Sequence, residues 1–179
     1  MIFEPYKDIL LIKKNNNIWS KVINRFVNDK NGYIHSEYVI DNWLTLGTDL
    51  KRPVSIHSFS YNIKDIDVFR YQGNISSKQK ETIDASILKL LESTYDTLEA
   101  ICVGLKLSCK GSATNFICIS LIVEIMEKAG LLPKGINGKY KDFTVFTDSS
   151  YFKKMNFAET TVPVYDNVIP KVKMPRLSP

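Results

Sequence analysis

The sequence predicts an α+β domain, on three observations. Asp8-Ile-Leu-Leu-Ile-Lys13 is a short apolar run of the kind found in a buried strand. Alternating segments between residues 33 and 71 form a meander of about four strands. After Gly73 the periodicity turns helical and culminates in Phe116–Ala129, apolar nearly all round and therefore expected in the middle of the fold.

The elements follow in order. After the first strand, Asn15-Asn16-Asn17 interrupts the chain. Ile18, Trp19, Val22, Ile23, Phe26 and Val27 then fall at helical spacing, with Asn17 as N-cap and Asn31-Gly32 as the stop. Tyr33–Ile40 and Trp43–Thr48 alternate as strands around Asp41-Asn42, which has hairpin turn chemistry. If residue 40 pairs with 43, His35 lies opposite Thr48. Pro53–Phe59 and Asp65–Arg70 complete the meander. Ser76 or Ser77 caps a helix carrying Ile83, Ile87, Leu88, Leu90 and Leu91, and Thr97–Leu107 is a second, shorter helical segment. Gly111–Asn115 is a loop, and Gly130 and Pro133 stop the apolar helix. One domain is expected over 1–179. Within it, 134–179 is an aromatic-rich segment wrapping the body, and 171–179 is a loose basic tail.

Composition removes much chemistry. With His35 and His57 and three cysteines spaced seven and nine apart, no paired zinc-ligand motif exists, and no metal site is expected. No glycine-rich phosphate cradle is present, so no nucleotide or other cofactor is expected. An odd cysteine count suits free thiols in a reducing compartment. A net charge of +5 is too small to mark a nucleic-acid footprint. No apolar run reaches 18 residues and the N-terminal segment lacks a secretory pattern, so a cytoplasmic protein without a transmembrane span is expected, with phage-delivered or virion-associated placement as the alternative.

Three residues carry chemistry. With Asn115 as N-cap, Cys118 becomes the third residue of the apolar helix, near unpaired backbone N–H groups and the positive dipole end. That environment lowers a thiol pKa and can hold the oxyanion of an attacked carbonyl. The competing reading is a cysteine serving as a small core hydrophobe. A nucleophilic cysteine needs a base. His35 shares a strand face with Glu37, whereas His57 has no acidic residue nearby in sequence, so His35 is the better candidate. Glu37, Thr48 and Asp49 are the alternatives for a third group holding the imidazole tautomer. Cys102 and Cys109 receive no role.

The order of these pieces resembles the circularly permuted, YiiX-like branch of the NlpC-type papain-fold superfamily. The resemblance spans roughly residues 8–133: the Asp8–Ile12 strand, a helix, Ile34-His-Ser-Glu-Tyr-Val-Ile40, Arg52–Ile56, Asp65–Arg70, Tyr95-Asp96, and Asn115–Val123 with Lys128-Ala-Gly-Leu131. It implies a papain-like fold with an antiparallel sheet or small barrel packed on helices, and histidine preceding cysteine in the chain. It also implies Cys118 as nucleophile, His35 as base and Glu37 as the matching acidic residue. The expected activity is that of a thiol hydrolase, an amidase, peptidase or acyltransferase acting on a peptide, cell-wall or acyl-lipid substrate. The chain departs from the pattern at Ile119-Ser120, where the family helix reads Ser-Glu, and at Lys7, where glycine is usual. An inactive papain-like module serving binding or structure, in a virion, an envelope or as a host-protein inhibitor, is the alternative.

Overall fold

The structure, a computed structural model, describes residues 3–13, 32–49, 52–59, 63–91, 93–95, 115–136 and 143–156. The helices expected over 18–27 and 97–107, the basic tail, Cys102 and Cys109 lie outside the described residues.

The architecture is α+β: a six-stranded antiparallel sheet with helices packed on it. Its strands are β1 (Asp8–Lys13), β2 (Tyr33–Asp41), β3 (Leu44–Asp49), β4 (Arg52–Ser58), β5 (Ile66–Tyr71) and β8 (Phe152–Met155), in the order β4-β3-β2-β1-β5-β8. The apolar run of β1 is explained by its central place, since both of its faces are covered. Ile9 and Leu11 join the core that includes Tyr38, Leu46 and Phe69, while Leu10 and Ile12 join a second cluster with Phe3, Val39, Ile66 and Val68. Full burial of each such side chain stabilises by about 1.5–3 kcal/mol.

At the start of β1, Asp8 is fully buried and accepts from Arg70 on β5 through both oxygens, at 2.6 and 2.8 Å. It also accepts the Glu4 backbone N–H at 2.7 Å. These bonds tie the N-terminal turn to the sheet.

Helix α1 (Ser77–Leu90) begins as expected. Ser76 accepts the Gln79 N–H at 3.3 Å and the Gln79 side chain accepts the Ser76 N–H at 3.0 Å, a reciprocal capping box. The apolar helix, α2 (Cys118–Lys128), packs on β2, β3 and α1. It ends in a Schellman motif: the Leu131 N–H reaches Met126 O at 2.9 Å, the Gly130 N–H reaches Glu127 O at 3.0 Å, and Gly130 adopts φ +67°.

Beyond residue 134 the described residues form two short elements. After the short helix α3 (Thr144–Thr147), Phe152–Met155 adds an edge strand beside β5. Exposed Lys153 and Lys154 line that edge, and unpaired edges commonly carry lysines. The aromatics Phe143, Phe146 and Phe152 cover the core. The expected hairpin register is corrected by the structure. Val39 pairs with Thr45 but Asp41 pairs with Leu44, so a bulge near Ile40 absorbs one residue. Glu37, rather than Ser36, therefore lies beside Gly47 on the neighbouring strand, and Thr48 is displaced from the place opposite His35.

Candidate active site

Period-two alternation on β2 places His35 and Glu37 on one face, and the neighbouring strands add polar groups to that face. Glu37 is fully buried and is the hub of the cluster. Its Oε2 accepts the Thr45 hydroxyl of β3 at 2.6 Å. Its Oε1 takes His57 Nε2 of β4 at 2.9 Å, His35 Nε2 at 3.3 Å and Arg52 Nη2 at 3.4 Å. Gly47 makes room for this side chain, since a Cβ there would stand 3.2 Å from Glu37 Cγ.

The two other candidates for the third group both meet Arg52. The Thr48 hydroxyl donates to Arg52 O at 3.1 Å, and Asp49 pairs with Arg52 Nη2 at 3.0 Å. The acidic group bonded to His35 is Glu37.

Cys118 comes from α2, which packs on β2 and β3. Asn115–Phe116 (β7) pairs in parallel with Thr94–Tyr95 (β6), so extended backbone persists through Ile117 and Cys118 opens α2 as its first residue. The expected Asn115 cap is thereby replaced. Ile117 stands at the N-cap and has no polar side chain to offer. Instead the Ser120 hydroxyl, three residues into the helix, accepts the Ile117 N–H at 3.1 Å. The correction leaves Cys118 closer to the helix start, where the first N–H groups have no intrahelical acceptor.

The thiol is hydrogen-bonded to His35. With Nε2 of that ring turned to Glu37, Nδ1 is the nitrogen left to serve the sulfur. Ser36 also faces the sulfur through its backbone N–H. Burial alone would raise the thiol pKa, but the imidazolium charge of His35, its hydrogen bond and the neighbouring Ser36 outweigh it and bring the thiol below its ordinary value. Burial likewise opposes a charged His35. The Cys118 thiolate, by charge and hydrogen bond, and then Glu37 overcome that and raise the imidazole well above its usual range. Burial also opposes an ionised Glu37, yet its bonds to His35 and His57, the charge of His35 and the Thr45 hydroxyl hold the carboxyl far below the carboxylate range. The arrangement favours a thiolate–imidazolium pair backed by a buried carboxylate.

The structure thus brings Cys118, His35 and Glu37 together, and it adds His57, Thr45 and Arg52. His57 escapes a reading of sequence neighbours because its acidic partner is twenty residues away. The usable signal is the alternation of β4 continued through the meander, which pairs His57 with Thr45. Among the described residues, no group of three or more His, Cys, Asp or Glu side chains is arranged to hold a metal ion.

No protein-family model matches the chain, and no curated protein sequence does. The crystal structure of the metalloprotein YiiX from Escherichia coli O157:H7, described as DUF1105, is similar at 12% identity and a TM-score of 0.49, over 86% of this chain and 98% of that one. Among the described residues, no helix is long and apolar enough to cross a membrane.

Proposed function

We propose that the chain is a thiol hydrolase or acyltransferase of circularly permuted, papain-like NlpC type, with Cys118 as nucleophile, His35 as base and Glu37 as the group that orients the imidazole. One observation carries the reading: the thiol opening α2 is hydrogen-bonded to a histidine that also meets a fully buried carboxylate. The permutation is supported by chain order, since the histidine strand precedes the cysteine helix that packs on it.

The chemistry follows from these positions. The Cys118 thiolate attacks a carbonyl carbon, forming a C–S bond and an oxyanion. The N–H groups at the start of α2 and the Ser36 backbone N–H support stabilisation of negative charge there. The His35 imidazolium gives its proton to the leaving amine or alcohol as the C–N or C–O bond breaks. Neutral His35 then takes a proton from water or another acceptor, which attacks the thioester and releases the thiolate. Glu37 remains ionised and stabilises the imidazolium throughout. Suitable substrates are amides or esters of peptide, cell-wall or acyl-lipid origin.

The second reading is a papain-like binding or structural module with an inert cysteine. It is favoured by the burial of Cys118, which is 6% exposed. Iodoacetamide labelling from pH 5 to 9 on wild type, Cys118→Ser and His35→Ala separates the two. The enzyme reading expects Cys118 to label near pH 6 and to slow at least tenfold without His35, whereas a thiol unreactive until unfolding leaves the binding module.

A further inference from the structure

The proposed triad accounts for Cys118, His35 and Glu37 but leaves His57 unused, although His57 makes the shortest bond to the shared carboxylate oxygen. From Glu37 Oε1 it lies 2.9 Å away, against 3.3 Å for His35 and 3.4 Å for Arg52. A carboxylate is an acceptor only, so His57 Nε2 carries the proton of that bond. Its Nδ1 lies 3.3 Å from Ser55 O of its own strand.

The terminal torsion of a glutamate is broad and nearly two-fold, so nothing intrinsic sets the plane of the Glu37 carboxylate. Two bonds on two different oxygens do set it: Thr45 on Oε2 at 2.6 Å and His57 on Oε1 at 2.9 Å. Both donors come from strands other than the one bearing Glu37. Besides His35, Arg52 also reaches Glu37, but it is divided between Glu37 and Asp49.

We infer that His57 is a positioning residue: through its Nε2–H it clamps Glu37 Oε1 in the orientation from which that oxygen holds His35. The inference rests on the reading of His35 as the base of Cys118. The charged and polar groups that bear on it are Glu37 and His35 from β2, Thr45 and Asp49 from β3, and Arg52 and the Ser55 carbonyl from β4.

The experiment follows two signals in the full-length protein: the imidazole Cε1–H resonance of His35 through a pH titration, and the iodoacetamide rate of Cys118 at pH 6. The variants are His57→Ala, His57→Phe, which keeps a ring without a donor, and His57→Gln, which keeps an N–H donor. In the Ala and Phe variants the His35 midpoint is expected to fall by about one pH unit and the labelling rate about tenfold. In the Gln variant both should stay within about threefold of wild type. A merely structural role lowers the melting temperature without moving the His35 midpoint, and that outcome overturns the inference, as does a Gln variant no better than Phe. Should Ala fail to fold, Phe and Gln decide. A wild-type Cys118 that does not label below pH 7 sinks the nucleophile reading alone, because the His35 titration still reports the link from His57.

Discussion

Replacing Glu37 with glutamine keeps the shape of a fully buried side chain and deletes its charge. The surroundings decide how the amide sits. The oxygen at the Oε1 position faces three donors, His57, His35 and Arg52, so the amide nitrogen must take the other position, against Thr45. The Thr45 hydroxyl can turn to accept, so the bonds persist as neutral-acceptor ones. A bond to a charged group is worth roughly 1.5–3 kcal/mol and a neutral one roughly 0.5–1.5, so about 1 kcal/mol is lost at His35 alone. That is a little under one pKa unit, so labelling of Cys118 at pH 6 should fall about five- to tenfold.

Stability should fall by about 1–3 kcal/mol at pH 7, since the lost charge assistance is partly offset by the smaller cost of burying an amide. The dependence on pH has a definite sign. The folded carboxyl lies below its ordinary value of 4.5, so its stabilisation is fully present above about pH 4.5 and is lost as pH falls from there toward the depressed folded value. Urea unfolding at pH 7 and pH 3.5 should therefore show the gap between wild type and Glu37→Gln narrowing in acid. A gap below about 0.5 kcal/mol at pH 7, together with unchanged labelling, would refute the account of Glu37 as the charged hub.

Two further substitutions probe the frame around this hub. Gly47→Ala brings a methyl group to 3.2 Å from Glu37 Cγ and 3.4 Å from Oε1, so the carboxylate must shift by a few tenths of an ångström. Labelling of Cys118 should slow more than global stability falls, and urea unfolding beside the iodoacetamide rate measures both. Arg70→Met strands the fully buried Asp8 without its bidentate partner and should cost about 3–5 kcal/mol. Recovery of most of that loss in the Asp8→Asn, Arg70→Met double variant would show that the stranded charge, rather than the lost packing, is responsible.

Everything legible in the sequence was local. The run Ile9–Ile12 carries apolar side chains on both pleat faces, which only a strand covered on both sides tolerates, and β1 occupies that central place. Ser76 with Gln79 three residues on encodes its own cap, and Gly130 supplies the left-handed residue that stops α2. His35 and Glu37 share a face because they are two residues apart on one strand. The positions of those two side chains and of Cys118 near a helix start could thus be read without coordinates.

What tertiary structure alone decided depends on register and on packing between distant segments. A single bulged residue near Ile40 moves the partner of every residue before it, so Thr48 loses the place opposite His35 and Gly47 comes to lie against Glu37. The short bridge of Asn115–Phe116 with Thr94–Tyr95 draws extended backbone through Ile117 and delays the helix to Cys118, against the preference of asparagine for the cap. His57 meets Glu37 only because β3 and β4 fold back beside β2. The alternation of side chains is a property of each strand's own backbone and can be read from sequence. Which strand lies beside which, and at what offset, is set by turns, bulges and core packing acting together, and there the local pattern is silent.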